Sequence, residues 1–184
     1  MKKAIIITII TLTLFSNHSF SQEVGYNTKE FGAEYNYYTG GNIFNFHIAF
    51  NSKLHHSIIV RVGYNGVNEQ HTSSFTNEKG GGLSAGLGYR YFFAYRSHLF
   101  FIGAKFDYWN LDISWNDTYS GGRYKVSSVF TGAETGYKFL INDRFFITPS
   151  IGLGVVNTIG DNIIPGSTRT GFTVLPGISA GVQF

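Results

Sequence analysis

From residue 30 to the end, the chain alternates apolar and small or polar residues over eight separate stretches. In 43–50, Phe44, Phe46, Ile48 and Phe50 interleave with Asn45, His47 and Ala49. In 81–92, Leu83, Ala85, Leu87, Tyr89 and Tyr91 interleave with Ser84, Gly86, Gly88 and Arg90. A period of two puts each set on its own face of a strand, and no stretch after residue 22 carries the 3.6-residue stripe of an amphipathic helix. The same alternation fills 30–38, 57–65, 99–109, 126–139, 145–156 and 170–184. Eight strands with no crossover helix between them predict an all-β, antiparallel, up-and-down arrangement.

Alternation by itself does not say which face looks out, because a soluble ligand-binding barrel has the same period with its apolar residues inside. Glycine and charge decide it. Gly32, Gly63, Gly86, Gly88, Gly103, Gly132, Gly136, Gly152, Gly154, Gly177 and Gly181 all lie on the polar face. Charged residues make up 14% of the chain, against about 25% in an ordinary soluble domain. That face has too few Lys and Glu for a solvated exterior. It suits the interior of an eight-stranded barrel, which is only wide enough for side chains to fill. The apolar face then meets lipid, giving an eight-stranded antiparallel up-and-down transmembrane β-barrel.

The connections agree. They are short at 51–56, 93–98 and 140–144, and long and polar at 66–80, 110–125 and 157–169; only the first odd connection, 39–42, breaks this rule. Short periplasmic turns and long outer loops are the pattern of outer-membrane barrels. Aromatics collect at both ends of the apolar face: Phe50, Tyr91, Phe100, Phe139, Phe145 and Phe184 at the turn end, and Tyr37, Tyr64 and Tyr108 with Trp109 and Trp115 at the loop end. Such rings favour the headgroup region. Some residues break the pattern. The apolar order of the fifth strand flips at Leu111, Ile113 and Trp115, which predicts a β-bulge. Phe130 and Leu175 fall on the polar face. Pro149 and Pro176 lie inside strands and predict bulges or irregular pairing, since a closed barrel has no free edge to hide a missing N–H.

The N-terminus, "MKKAIIITIITLTLFSNHSFSQE", has a basic start, an apolar run over 4–15 and small residues before Gln22. It reads as a secretory signal peptide over 1–21, with the barrel domain over 22–184. Removing Lys2 and Lys3 takes away most of the formal charge of +3, so the basic balance does not point to nucleic acid. The chain has no Cys, which excludes a disulfide framework and a Cys-ligated metal.

The last strand, "GISAGVQF", alternates apolar residues up to a terminal aromatic. With the eight strands it resembles the small outer-membrane barrels of the OmpA/OmpX type over essentially the whole mature chain. The resemblance implies a monomeric barrel in the outer membrane of a Gram-negative bacterium, surrounded by outer-membrane lipids. It also implies that Ile178, Val182 and Phe184 form the C-terminal signal read by the outer-membrane assembly machinery.

The inward face carries Glu34, Arg61, Arg90, Lys105, Asp107, Glu134 and Lys138, with His47 nearby. Unpaired charges in a narrow lumen are costly, so these are expected to pair as a structural network rather than to line an ion pathway. The histidines form no catalytic pattern: His18 leaves with the signal peptide, His55, His56 and His98 lie in turns, and His71 in a long loop. His55 and His56 have no third metal ligand. "GGGLSAGLG" repeats glycine at period two with no helix following, unlike a phosphate loop. No catalytic, cofactor or metal site is expected. The expected role is structural or surface-interacting, through the loops 66–80, 110–125 and 157–169 and a possible extracellular partner. A barrel enzyme acting on lipid A or phospholipid and a secreted soluble ligand-binding barrel are the alternatives.

Overall fold

In a computed structural model, the structure describes residues 28–52, 55–71, 76–93, 99–116, 120–159 and 170–184. The expected signal peptide lies outside them. Eight strands form one closed barrel: β1 (Thr28–Tyr38), β2 (Gly41–Asn51), β3 (His56–His71), β4 (Thr76–Phe92), β5 (Leu99–Asn116), β6 (Gly121–Ile141), β7 (Phe145–Ile159) and β8 (Gly171–Gln183). Each strand pairs antiparallel with its sequence neighbours, and β8 closes on β1 through pairs such as Ala33↔Ala180. Apart from short gaps in the ladders beside Pro149 and Pro176, the described strands therefore satisfy their backbone within the wall, as a spanning structure must.

Residues that alternate in sequence alternate between lumen and exterior. The apolar set looks outward: Val62 is 59% exposed, Leu83 73% and Leu87 57%, while their neighbours Arg61 and Ser84 are buried. A soluble barrel would show the reverse, so that alternative is excluded. The outward rows change character at one height. Tyr64 on β3 gives way to Gly66 and Asn68, Tyr108 on β5 to Asn110 and Asp112, and Val155 on β7 to Asn157. Tyr37 and Tyr64 stand exposed at this rim. At the opposite rim stand Phe50, Phe93, Phe100, Phe139, Phe145 and Phe184. This is an apolar band between two aromatic girdles.

Tight connections are made where the sequence supplies special backbone. Asn142 and Asp143 both adopt positive φ, 51° and 57°, the type I′ geometry that short-side-chain Asn and Asp tolerate. Gly40, at φ 99°, turns β1 into β2.

Three expectations need correction. First, β5 has no bulge: its pairing is unbroken with β6 from Leu99 to Asn116 and with β4 from Phe101 to Asn116. Leu111 and Ile113 keep the inward parity of Lys105 and Asp107, and it is the lumen that turns apolar at that height. Trp109, expected at the outer belt, is likewise buried inside. Second, 66–80 and 110–125 are largely strand rather than loop: β3 and β4 stay paired to His71↔Thr76, and β5 and β6 to Asn116↔Gly121. They rise past the apolar band as extended hairpins. Most of the third segment, 157–169, lies outside the described residues. Third, the prolines bring irregular pairing, as expected, but neither makes a bulge. The β6–β7 ladder skips the positions opposite Pro149 and resumes at Phe139↔Ile147 in the same register. Pro176 lies one residue beyond the last β1–β8 pair, Asn36↔Gly177.

Candidate functional site

The inward side chains form an ion network at mid-height. Arg61 on β3 donates to Glu34 of β1 at 3.0 Å and to Glu134 of β6 at 3.3 Å. Arg90 on β4 grips Glu134 with two bonds, at 3.1 and 2.8 Å. Lys105 on β5 donates to Glu34 at 2.7 Å and lies 3.8 Å from Asp107. The acids and bases thus come from strands on different sides of the lumen and tie the wall together across it. Every one of these side chains is buried. In so dry a setting each charge is tolerable only because its partners are fixed beside it. The Arg90 guanidinium also lies 4.4 Å from the Phe101 ring centroid, a cation–π contact. Glycine makes the room: a Cβ on Gly88 would collide with the Arg61 guanidinium, and one on Gly86 with the Asp107 carboxylate.

Nearer the turn end, Lys138 bonds Glu30 and, at 2.8 Å, Gln183, with its ammonium 5.0 Å from the Phe146 ring centroid. His47 is buried with the others but does not join the ion pairs. Its ring packs 5.9 Å from Phe146, and its nitrogens have no hydrogen-bond partner among the described residues. Above the network, towards the extended hairpins, the lumen fills with apolar side chains. Trp109 stacks between Tyr38 and Phe130, at centroid distances of 5.7 and 6.2 Å, and Ile43, Leu111, Ile113 and Leu175 pack around them. Phe130 fits because Gly132 and Gly154 leave space for its ring. Phe130 and Leu175, the two exceptions to the sequence pattern, are therefore parts of an apolar plug.

All eight predicted lumen residues lie inside the barrel, and seven of them enter ion pairs. Two members were missed. Glu30, the partner of Lys138, and Asn36, which donates to Glu34 at 2.7 Å and accepts from Lys105 at 3.3 Å, share the parity of Glu34. Following the period of two from Glu34, one step forward to Asn36 and two steps back to Glu30, finds both. With Glu30 included, four cations face four anions. Of the predicted terminal triplet, Ile178 and Phe184 look outward while Val182 is half-buried. Phe184 is held by backbone bonds in both directions to Lys29.

Beyond the band, Arg123 and Asp112 form a bidentate pair on the outer face of the β5–β6 hairpin. These bonds from Arg123 hold the Asp112 carboxyl below the usual aspartate range. Tyr124 donates to Glu78 at 2.9 Å, tying β6 to β4.

The model of the family described as "Protein of unknown function (DUF3575)" matches residues 5–170. The chain belongs to the DUF3575 family. No curated protein matches it. Among solved structures, this DUF3575 barrel is similar to the N-terminal β-barrel domain of Pseudomonas aeruginosa OprF, with a TM-score of 0.57 and 16% identity over 87% of this chain and 99% of that one. It is also similar to Neisserial surface protein A (TM-score 0.53, 12% identity, 85% and 95% covered). A third likeness is to Ail of Yersinia pestis, crystallised with the heparin analogue sucrose octasulfate (TM-score 0.52, 9% identity, 86% and 99% covered). At these identities the likeness is one of fold: this DUF3575 chain is an eight-stranded barrel of the outer-membrane type.

Proposed function

We propose that this DUF3575 barrel is a non-conducting, non-enzymatic protein of the cell outer membrane whose role is structural or surface-interacting. The observation that carries this reading is the double closure of the lumen. A balanced ion network spans mid-height, and an apolar plug built on Trp109, Phe130 and Leu175 lies above it. Charges committed to each other in a dry interior are poor conduits, and a plug of packed rings leaves no water column.

The interaction half of the role rests on the extended hairpins. They continue the wall past the apolar band as paired strands, and their outer face carries Lys79, Arg123 and Lys125 against Asp112. A rigid, predominantly cationic surface held clear of the membrane suits an extracellular partner better than a wandering loop does, because less ordering entropy is lost on binding.

Planar-bilayer recording of the pure barrel tests the reading. It predicts no steady channel, and a stable porin-like conductance from the monomer contradicts it.

A further inference from the structure

The outer wall is not uniform. A groove of about 500 Å³ crosses it between β4 and β7, within the ~300–1,000 Å³ range of small-molecule sites. Strand register builds it: one outward row runs Tyr89, Ala104, Ala133, Leu153. The two alanines face each other across β5 and β6 and form a low floor. Tyrosines of β4 rise on one side of it and branched aliphatics of β7 on the other. Towards the hairpins the next row brings Phe106; towards the turns Ile102 and Thr135 continue the groove, and Phe100 closes it one row further on, both rings exposed. A patch of missing bulk is thus framed on every side.

The tyrosine wall leads to a polar cluster at the turn end. Tyr91 pairs with His56 across β3 and β4, and their ring centroids are 5.4 Å apart. The Tyr89 hydroxyl meets His56 Nδ1, which leaves Nε2 as the nitrogen for a ligand. The His55 ring lies 5.8 Å from Tyr91. An apolar slot that opens onto lipid and ends in imidazoles and phenols matches a molecule with a hydrocarbon chain and an anionic acceptor head.

We propose that this groove binds one phospholipid of the turn-side leaflet, with an acyl chain over Ala104 and Ala133 and the phosphate at His56 and Tyr91. A phosphate uses both donor types and gains from a charge-assisted bond whenever the imidazole is protonated. A second copy of the barrel fits less well, since its aromatic exterior offers those donors little to bond.

Native mass spectrometry of the barrel in a neutral detergent, loaded with phosphatidylglycerol or with diacylglycerol of the same chains, tests this. One retained phospholipid per barrel is expected. Ala133→Phe, which fills the floor from outside without touching the lumen, should cut retention on the order of tenfold or more, and Ala104→Phe likewise. His56→Ala should weaken phospholipid retention on the order of tenfold, as for a lost hydrogen bond to a charged group, and leave diacylglycerol retention unchanged. Heat-modifiable gel mobility verifies that each variant is folded. Three outcomes overturn the proposal: undiminished retention in both alanine variants, equal retention of diacylglycerol and phospholipid with a silent His56→Ala, or a wild-type dimer that Ala133→Phe dissolves.

Discussion

Glu134 holds two arginines from two other strands, at 2.8 to 3.3 Å. Its value to the fold lies less in the net strength of those pairs than in what its loss would leave. Glu134→Gln keeps the shape but strands Arg61 and Arg90 with reduced compensation inside the barrel. Breaking a buried pair in this way costs about 3–5 kcal/mol. Unfolding followed by heat-modifiable gel mobility should show that loss. Asp112→Asn, on the exposed hairpin, should leave the same unfolding curve unchanged, because a solvated pair contributes little. The Asp112 pair has its own signature. Its carboxyl is held low by Arg123, so the stabilisation it gives is present above the ordinary aspartate value and fades as pH falls through the lowered one. Titration of the Asp112 carboxylate by NMR should give a midpoint below that of a free aspartate, and Arg123→Gln should raise it.

At the scale of the strand, the period of two was legible throughout, because each wall residue must choose between lipid and lumen. All eight strands lie where the alternation puts them, and the inward ionisable residues follow from parity. What the sequence did not yield was the chemistry of the lumen along its height. Parity says that Leu111 faces the same way as Asp107, but not that the interior turns from charged to apolar between them. An apolar residue on an inward position then looks like a slipped register, and a bulge was expected where a plug exists. The hairpins were missed for a related reason. Outside the membrane neither face needs to be apolar, so the signal fades at residues 66–80 and 110–125 although the pairing continues. Within the band the signal carries a direct consequence. Leu87 is 57% exposed on the lipid face, and Leu87→Arg near the bilayer midplane should cost about 2–4 kcal/mol. Unfolding from lipid vesicles measures it, and unchanged stability would mean that β4 presents its other face to lipid.

As a whole molecule, the barrel divides one task between two surfaces. Its exterior is a band of apolar side chains between aromatic rims, which sets it in a bilayer. Its interior is filled by ion pairs and a ring plug, which keep the wall rigid and closed. The extended hairpins and the Ala104–Ala133 groove are the places where this plan is interrupted, and those are where partners and lipids are proposed to act. Everything rests on which face meets lipid and where the lipid ends. The chain has no cysteine, so single cysteines at the outward β4 positions Lys79, Gly81, Leu83, Ala85, Leu87 and Tyr89 can each carry a nitroxide in reconstituted bilayers. Collision rates with oxygen, which partitions into lipid, and with a water-soluble nickel chelate then read the wall directly. The account predicts high oxygen and low nickel accessibility from 83 to 89, reversing at 81 and 79 beyond the rim. Nickel collisions at 85 and 87 equal to those at 79 would contradict it.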